Sequence, residues 1–167
     1  GGGYRRPVDD ETLSEVLDEA SAAIRRALGD LDDWGLAGTR DGQYHSDLAA
    51  DAAALAVFDR AGLGVLSEES GRHRRDAEVV VNASRGIPWY ATSLCAVDRD
   101  GPRAALVVNL ASGERFHAVR GVGATRDGAP LRPSGAAVLG ESVVALSGFP
   151  GRPLGWKQFR ALGDCGD

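Results

Sequence analysis

The sequence predicts an α+β fold, with helices packed on a mostly antiparallel sheet. Three observations carry this reading. Two early stretches repeat apolar residues at helical spacing. Beyond Gly62 the apolar period falls to two. The later apolar runs are joined by short turns containing Gly and Asp.

Taken in order, Asp9 or Asp10 can cap a first helix. Leu13, Val16, Leu17, Ala20, Ile24, Leu28 and Leu31 give it one apolar face from about Thr12 to Leu31, and Gly29 lies near its end. A polar, glycine-containing link runs from Trp34 to Tyr44. A second helix is expected from about Asp47, its N-cap, to Ala61, with Leu48, Ala52, Leu55 and Phe58 on one face. Gly62 suits the position that ends a helix. Strands are then expected at Gly64–Ser67, Glu78–Val81, Trp89–Asp98, Arg103–Leu110, Glu114–Arg120 and Ser142–Ser147, with a short helix at Trp156–Leu162. Asp98 to Gly101, Ala111 to Gly113 and Arg126 to Ala129 supply the turns.

At 167 residues the chain suits one domain or one domain and part of another. The division expected is a helix-plus-sheet domain over 1–135 and the incomplete start of a C-terminal α/β domain over 136–167. Net charge is -5, with the acids scattered, so nucleic acid and anionic membranes are not expected partners. Cys95 and Cys165 match no metal or redox spacing; Cys95 reads as a core thiol, and the reducing cytoplasm is the expected compartment. There is no apolar run of membrane-spanning length and no signal peptide. The sequence has no Met, so a longer natural chain is expected.

Chemistry concentrates at Gly64-Val65-Leu66-Ser67-Glu68-Glu69-Ser70-Gly71. A short apolar strand there ends in two adjacent carboxylates. Hard oxygen ligands held by a strand end suit a divalent cation such as Mg²⁺, although one pair cannot complete a site. Alternation of strand side chains points Glu68 and Glu69 to opposite sides. His45, His73 and His117 are scattered, and none stands beside a Ser or Cys in a triad pattern. Gly121-Val122-Gly123 follows a strand and opens no helix, which excludes a phosphate loop. Arg72-His73-Arg74-Arg75 reads as a solvated loop, and Thr92 and Ser93 as packed or ladder-facing residues.

Several of these segments, in this order, resemble the inositol monophosphatase family. Asp47-Leu48-Ala49-Ala50-Asp51 and the Glu68-Glu69 segment are similar to two of its signatures. Asn82, then Gly86-Ile87-Pro88-Trp89-Tyr90-Ala91-Thr92-Ser93-Leu94, is similar to the tail of its main motif. Val107-Val108-Asn109, Gly113-Glu114, Ala118 to Ala124, Asp127 to Leu131 and Ser134 continue the likeness. The resemblance implies the layered α/β sandwich of that family and Mg²⁺-dependent hydrolysis of a small phosphate monoester by metal-activated water. An inositol phosphate or a similar polyol, sugar or nucleotide phosphate is the implied substrate, and a homodimer the implied assembly. It implies that Glu68, with Glu69, binds the metal and that Glu68 helps position the attacking water. Asp51 matches an aspartate near the third of two or three metal positions, which also orients a hydroxyl of the main motif. Asn82 is read as structural.

The chain departs from the family at one internal point. The main motif runs Asp-Pro-hydrophobic-Asp-Gly-Thr/Ser-Thr-Asn, but here Val81 is followed directly by Asn82. The family's later Trp-Asp pair has no match either, and Gly163 to Asp167 align with nothing in it. The enzyme reading is therefore conditional on the natural protein carrying the motif at this junction. A true deletion implies instead an inactive relative that serves as a binding or scaffold module. Substrate choice, including a bisphosphate or histidinol phosphate, lies in the absent C-terminal half.

Overall fold

The computed structural model describes residues 8–38, 43–67, 69–73, 77–84 (backbone), 90–138 and 140. The expected strand at Ser142–Ser147, the helix at Trp156–Leu162, Cys165, Arg74, Arg75 and Gly86 to Trp89 lie outside the described residues.

Helix α1 spans Asp10–Gly29. Asp9 is its N-cap, the Oδ1 atom accepting the Thr12 N–H at 2.8 Å. That bond holds the Asp9 carboxyl below the ordinary aspartate value. Leu13, Leu17, Ala20, Ile24 and Leu28 form its buried stripe. Helix α2 spans His45–Ala61, two residues earlier than expected at its start. Tyr44 is the N-cap, and Asp47 stands in the first turn, where its Oδ2 accepts the Tyr44 N–H at 3.0 Å. The N-cap role expected for Asp47 is thus corrected: the carboxylate reaches back to the cap from inside the helix. Gly62 ends α2 at φ 72, with its N–H on the Asp59 carbonyl and the Leu63 N–H on that of Phe58.

The buried face of α2 also differs from expectation. Ala50, Ala54, Val57 and Phe58 are buried, while Ala52 is exposed. Alanine occurs on every side of this helix, so its apolar pattern is too uniform to select a face. Packing against α1 and the sheet selects it instead.

The described strands form one sheet in the order β2-β1-β3-β4-β5-β6-β7-β8. They are β1 Gly64–Ser67, β2 Gly71–His73, β3 Ala77–Ser84, β4 Ala91–Asp98, β5 Gly101–Asn109, β6 Arg115–Val119, β7 Gly123–Arg126 and β8 Ala129–Pro130. Neighbours pair antiparallel except β1 and β3, which are parallel. The mostly antiparallel sheet is as the turn residues predict. Asp127 and Gly128, with φ 49 and 84, make the tight β7–β8 turn that Asp-Gly favours. β2 corrects the reading of Arg72 and His73 as loop: both pair with β1. β3 is longer than expected and runs in unbroken register with β4, from Val79 opposite Ala96 to Ser84 opposite Ala91. Asn82, expected to bond local backbone as Asn does in turns, is instead a ladder residue opposite Ser93.

Both helices pack on one face of the sheet. Leu94 and Ala96 of β4, and Ala104, Leu106 and Val108 of β5, join their buried residues in one core. Thr92 is fully buried on the same strand, as expected of a packed residue. Cys95 alternates away from this core and is half-buried, which corrects its expected place; burial still pushes its thiol up from the ordinary value. A polar seam fixes α1 to the sheet. Arg103 Nε meets Asp10 at 2.6 Å, Arg115 Nε meets Asp18 at 2.8 Å, and His117 Nε2 lies 3.1 Å from Ser14 Oγ.

On the rim, the Arg120 guanidinium donates to both Asp98 oxygens, at 3.1 and 2.5 Å. These bonds, with the Asp100 N–H, hold the Asp98 carboxyl below its ordinary value of 3.8. A lowered folded value means the pair stabilises the fold above pH 3.8 and stops doing so as pH falls through the folded value. The melting-temperature gap between this chain and Arg120→Ala should therefore be wider near pH 6 and narrow as pH falls below 3.8. Thermal melts followed by circular dichroism measure it. A gap that does not vary with pH would mean that Arg120 acts through packing and its bonds to the Gly101 and Pro102 carbonyls, not through Asp98.

The chain divides into two compact units, Gly1–Leu131 and Arg132–Asp167. The elements above belong to the first. In the second, the described residues 132–138 and 140 are exposed, and the Ser134 hydroxyl accepts the Ala136 N–H at 3.4 Å.

Candidate active site at the β1–β2 turn

The chain reverses from β1 into β2 between Ser67 and Gly71, with Glu69 and Ser70 in the turn. Ser67 and Gly71 face each other across its mouth, and Gly71 takes φ 79 to let the chain return. Glu68 lies outside the described residues. Glu69 is a half-buried turn residue, not a strand residue. The alternation argument for its direction therefore does not apply. Its Oε2 accepts a hydrogen bond from Gln43 Nε2 at 2.5 Å.

Asp51 is not the exposed helix acid that its sequence context alone would suggest. It lies on the buried face of α2 at 6% exposure. The Ser67 hydroxyl donates to Asp51 Oδ1. Ser67 Oγ in turn accepts the Glu69 N–H at 3.1 Å and the Ser70 N–H at 3.5 Å. Ser67 thus brings Asp51 and the carboxylate turn together.

Sequence reasoning missed Ser67 and Gln43 as parts of this cluster. A Ser two residues before a turn position is a recognisable signal, because its hydroxyl can accept the turn's backbone N–H. Nothing in the sequence marks Gln43, whose partner is 26 residues away.

The position of the Val81–Asn82 junction also bears on the site. In the parallel pairing of β1 with β3, Ser67 is opposite Val81. Paired strands lie about 4.8 Å apart, so the junction adjoins the strand end that leads into the carboxylate turn. Among the described residues, no group of three or more His, Cys, Asp or Glu could hold a metal ion. Of the carboxylate pair the structure describes Glu69; Mg²⁺ is commonly bound by one or two carboxylates with water and phosphate oxygens completing its shell.

Comparison with known proteins adds to this geometry. No family model matches the chain. It is 28% identical over 175 residues to the fructose-1,6-bisphosphatase/inositol-1-monophosphatase of Archaeoglobus fulgidus, a match covering 95% of this chain and 68% of the relative. The matched span exceeds the 167 residues of the chain, so the relative carries positions within it that have no counterpart here. Among solved structures, the extragenic suppressor protein SuhB of Bartonella henselae superposes with a TM-score of 0.71 at 23% identity, over 91% of this chain and 67% of that one. Inositol monophosphatase II of Staphylococcus aureus gives 0.66 at 18% identity, over 93% and 62%.

The chain resembles the inositol monophosphatase family and has its fold. It spans about two thirds of the length of these relatives. Its α+β architecture, two helices on one face of a mostly antiparallel sheet, is part of the inositol monophosphatase sandwich. The relatives named for an activity are named as phosphatases. Among the described residues, no helix is long and apolar enough to cross a membrane.

Proposed function

We propose that this chain is part of a phosphoric monoester hydrolase of the inositol monophosphatase type. The supporting observation is the pairing of Ser67 with Val81, which sets the carboxylate turn beside the point where the family's main motif belongs. Glu68 and Glu69 would hold Mg²⁺, and Asp51 supports the turn from α2. When bound, Mg²⁺ supplies a water of lowered pKa and neutralises phosphate charge. Glu68 positions the attacking water. Gln43 and Ser67 keep the second carboxylate and the turn backbone in place. The substrate is a small phosphate ester of a polyol, sugar or nucleotide, handled in the cytoplasm by a homodimer, with neither nucleic acid nor membrane as partner. The scattered charge of -5 supports those last exclusions.

The alternative is an inactive relative that serves as a binding or scaffold module; on that reading the ladder from Val79 to Ser84, which runs without a register shift, would stand where the family has its ligand loop.

Phosphate release by the full-length protein from inositol, sugar and nucleotide monophosphates, with and without Mg²⁺, separates the two readings. The hydrolase reading expects Mg²⁺-dependent release that drops at least a hundredfold in Glu68→Gln, within the range set by losing a group that organises the attacking water. No release from any substrate, with Glu68→Gln indistinguishable from the natural chain, leaves the binding module.

A further inference from the structure

We propose that Ser67 and Gln43 are positioning residues that set the geometry of the carboxylate turn; the inference rests on the hydrolase reading above. A serine hydroxyl has one donor hydrogen and two acceptor lone pairs. At Ser67 all three are in use. Backbone N–H groups can only donate, so the hydroxyl accepts from Glu69 and Ser70, and its hydrogen goes to Asp51. Ser67 is 5% exposed, so water does not readily replace these partners. The oxygen is fixed from three directions: by its own strand, by the turn, and by a helix.

Gln43 adds a second tie, to the Glu69 side chain. It is 6% exposed, and its carbonyl accepts the Ala37 N–H at 2.9 Å. With its backbone held, its amide donates to Glu69 Oε2 at 2.5 Å. The turn is therefore tied to α2 through Ser67 and to the segment preceding α2 through Gln43. Such outer partners orient ligand carboxylates, and their loss commonly weakens metal binding by 10–100-fold.

The test uses the full 167-residue chain, labelled for NMR. Hydrogen exchange at the Glu69 and Ser70 amides is read without metal, and Mg²⁺ is then titrated against the same signals. Ser67→Ala should expose both amides and weaken Mg²⁺ binding about tenfold or more, while Ser67→Thr, which keeps the hydroxyl, restores both. Gln43→Leu should weaken Mg²⁺ binding similarly and leave the two amides protected. Unchanged amide protection in Ser67→Ala overturns the assignment, whatever the metal does. So does Mg²⁺ affinity that neither Ser67→Ala nor Gln43→Leu alters. If the 167-residue chain binds no Mg²⁺ but Ser67→Ala still exposes the amides, the role of the turn in holding metal without the motif fails and the setting of the turn by Ser67 stands.

Discussion

Replacing Phe58 by alanine should lower the unfolding free energy by about 3–5 kcal/mol, the range for deleting a buried aromatic ring. Phe58 heads the largest wholly buried side chains, with Leu17, Ile24, Leu94 and Leu106. It belongs to the single core that joins both helices to the sheet. Truncation removes apolar contact and leaves a cavity whose walls come from several elements, so no single side chain can turn in to fill it. The backbone has no cause to rearrange, because the Phe58 carbonyl still accepts the Leu63 N–H and the helix end is kept. Urea unfolding measures the change as a lower midpoint at constant slope. Ala52→Ser on the exposed side of the same helix should stay within about 0.5 kcal/mol. A loss below about 1 kcal/mol for Phe58→Ala would mean that the core is not close-packed around the ring.

Restoring the family's motif should have the largest effect on metal binding. A chain with Asp-Pro-Leu-Asp-Gly-Ser-Thr inserted between Val81 and Asn82 is expected to bind Mg²⁺ at least tenfold more tightly than the 167-residue chain without it. The reason is local. Ser67 and Val81 are paired, so two new carboxylates enter beside the turn that holds Glu68 and Glu69. Added anionic oxygens raise the affinity of a site for a hard cation. They also repel one another without metal, so the inserted chain should be less stable in chelator and gain more from Mg²⁺. Calorimetric titration gives the affinity, and thermal melts with and without Mg²⁺ give the coupling. Equal affinity in both chains would show that the turn does not contribute to a common site with the β3 side, and would weaken the hydrolase reading.

The sequence carried the architecture because its signals were local. The Asp9 cap, the Leu13 to Leu28 stripe, Gly62 and the Asp127-Gly128 turn each act within a few residues. What it hid was non-local or ambiguous. An alanine-rich α2 offers no distinct apolar face, so its rotation is fixed by neighbours. Arg72 and His73 look solvated, yet a three-residue edge strand needs only backbone pairing with β1. At the candidate site, Glu69 and Asp51 were legible from motif resemblance. The links between them were not, because Ser67 reaches Asp51 across 16 residues and Gln43 reaches Glu69 across 26.

The polar seam of α1 has a consequence for the order of events during synthesis. Its partners Arg103, Arg115 and His117 follow Asp10, Asp18 and Ser14 by 93, 97 and 103 residues. At translation speeds of 5–20 residues per second, the first helix waits roughly 5–20 s for the strands that hold it. Over that interval α2 is the nearest apolar surface it can meet, and the two helices share an extensive contact in the finished fold. The seam therefore cannot close until the chain has been made through His117, so its three links tie the first turns of the protein to strands made near the end of the sheet.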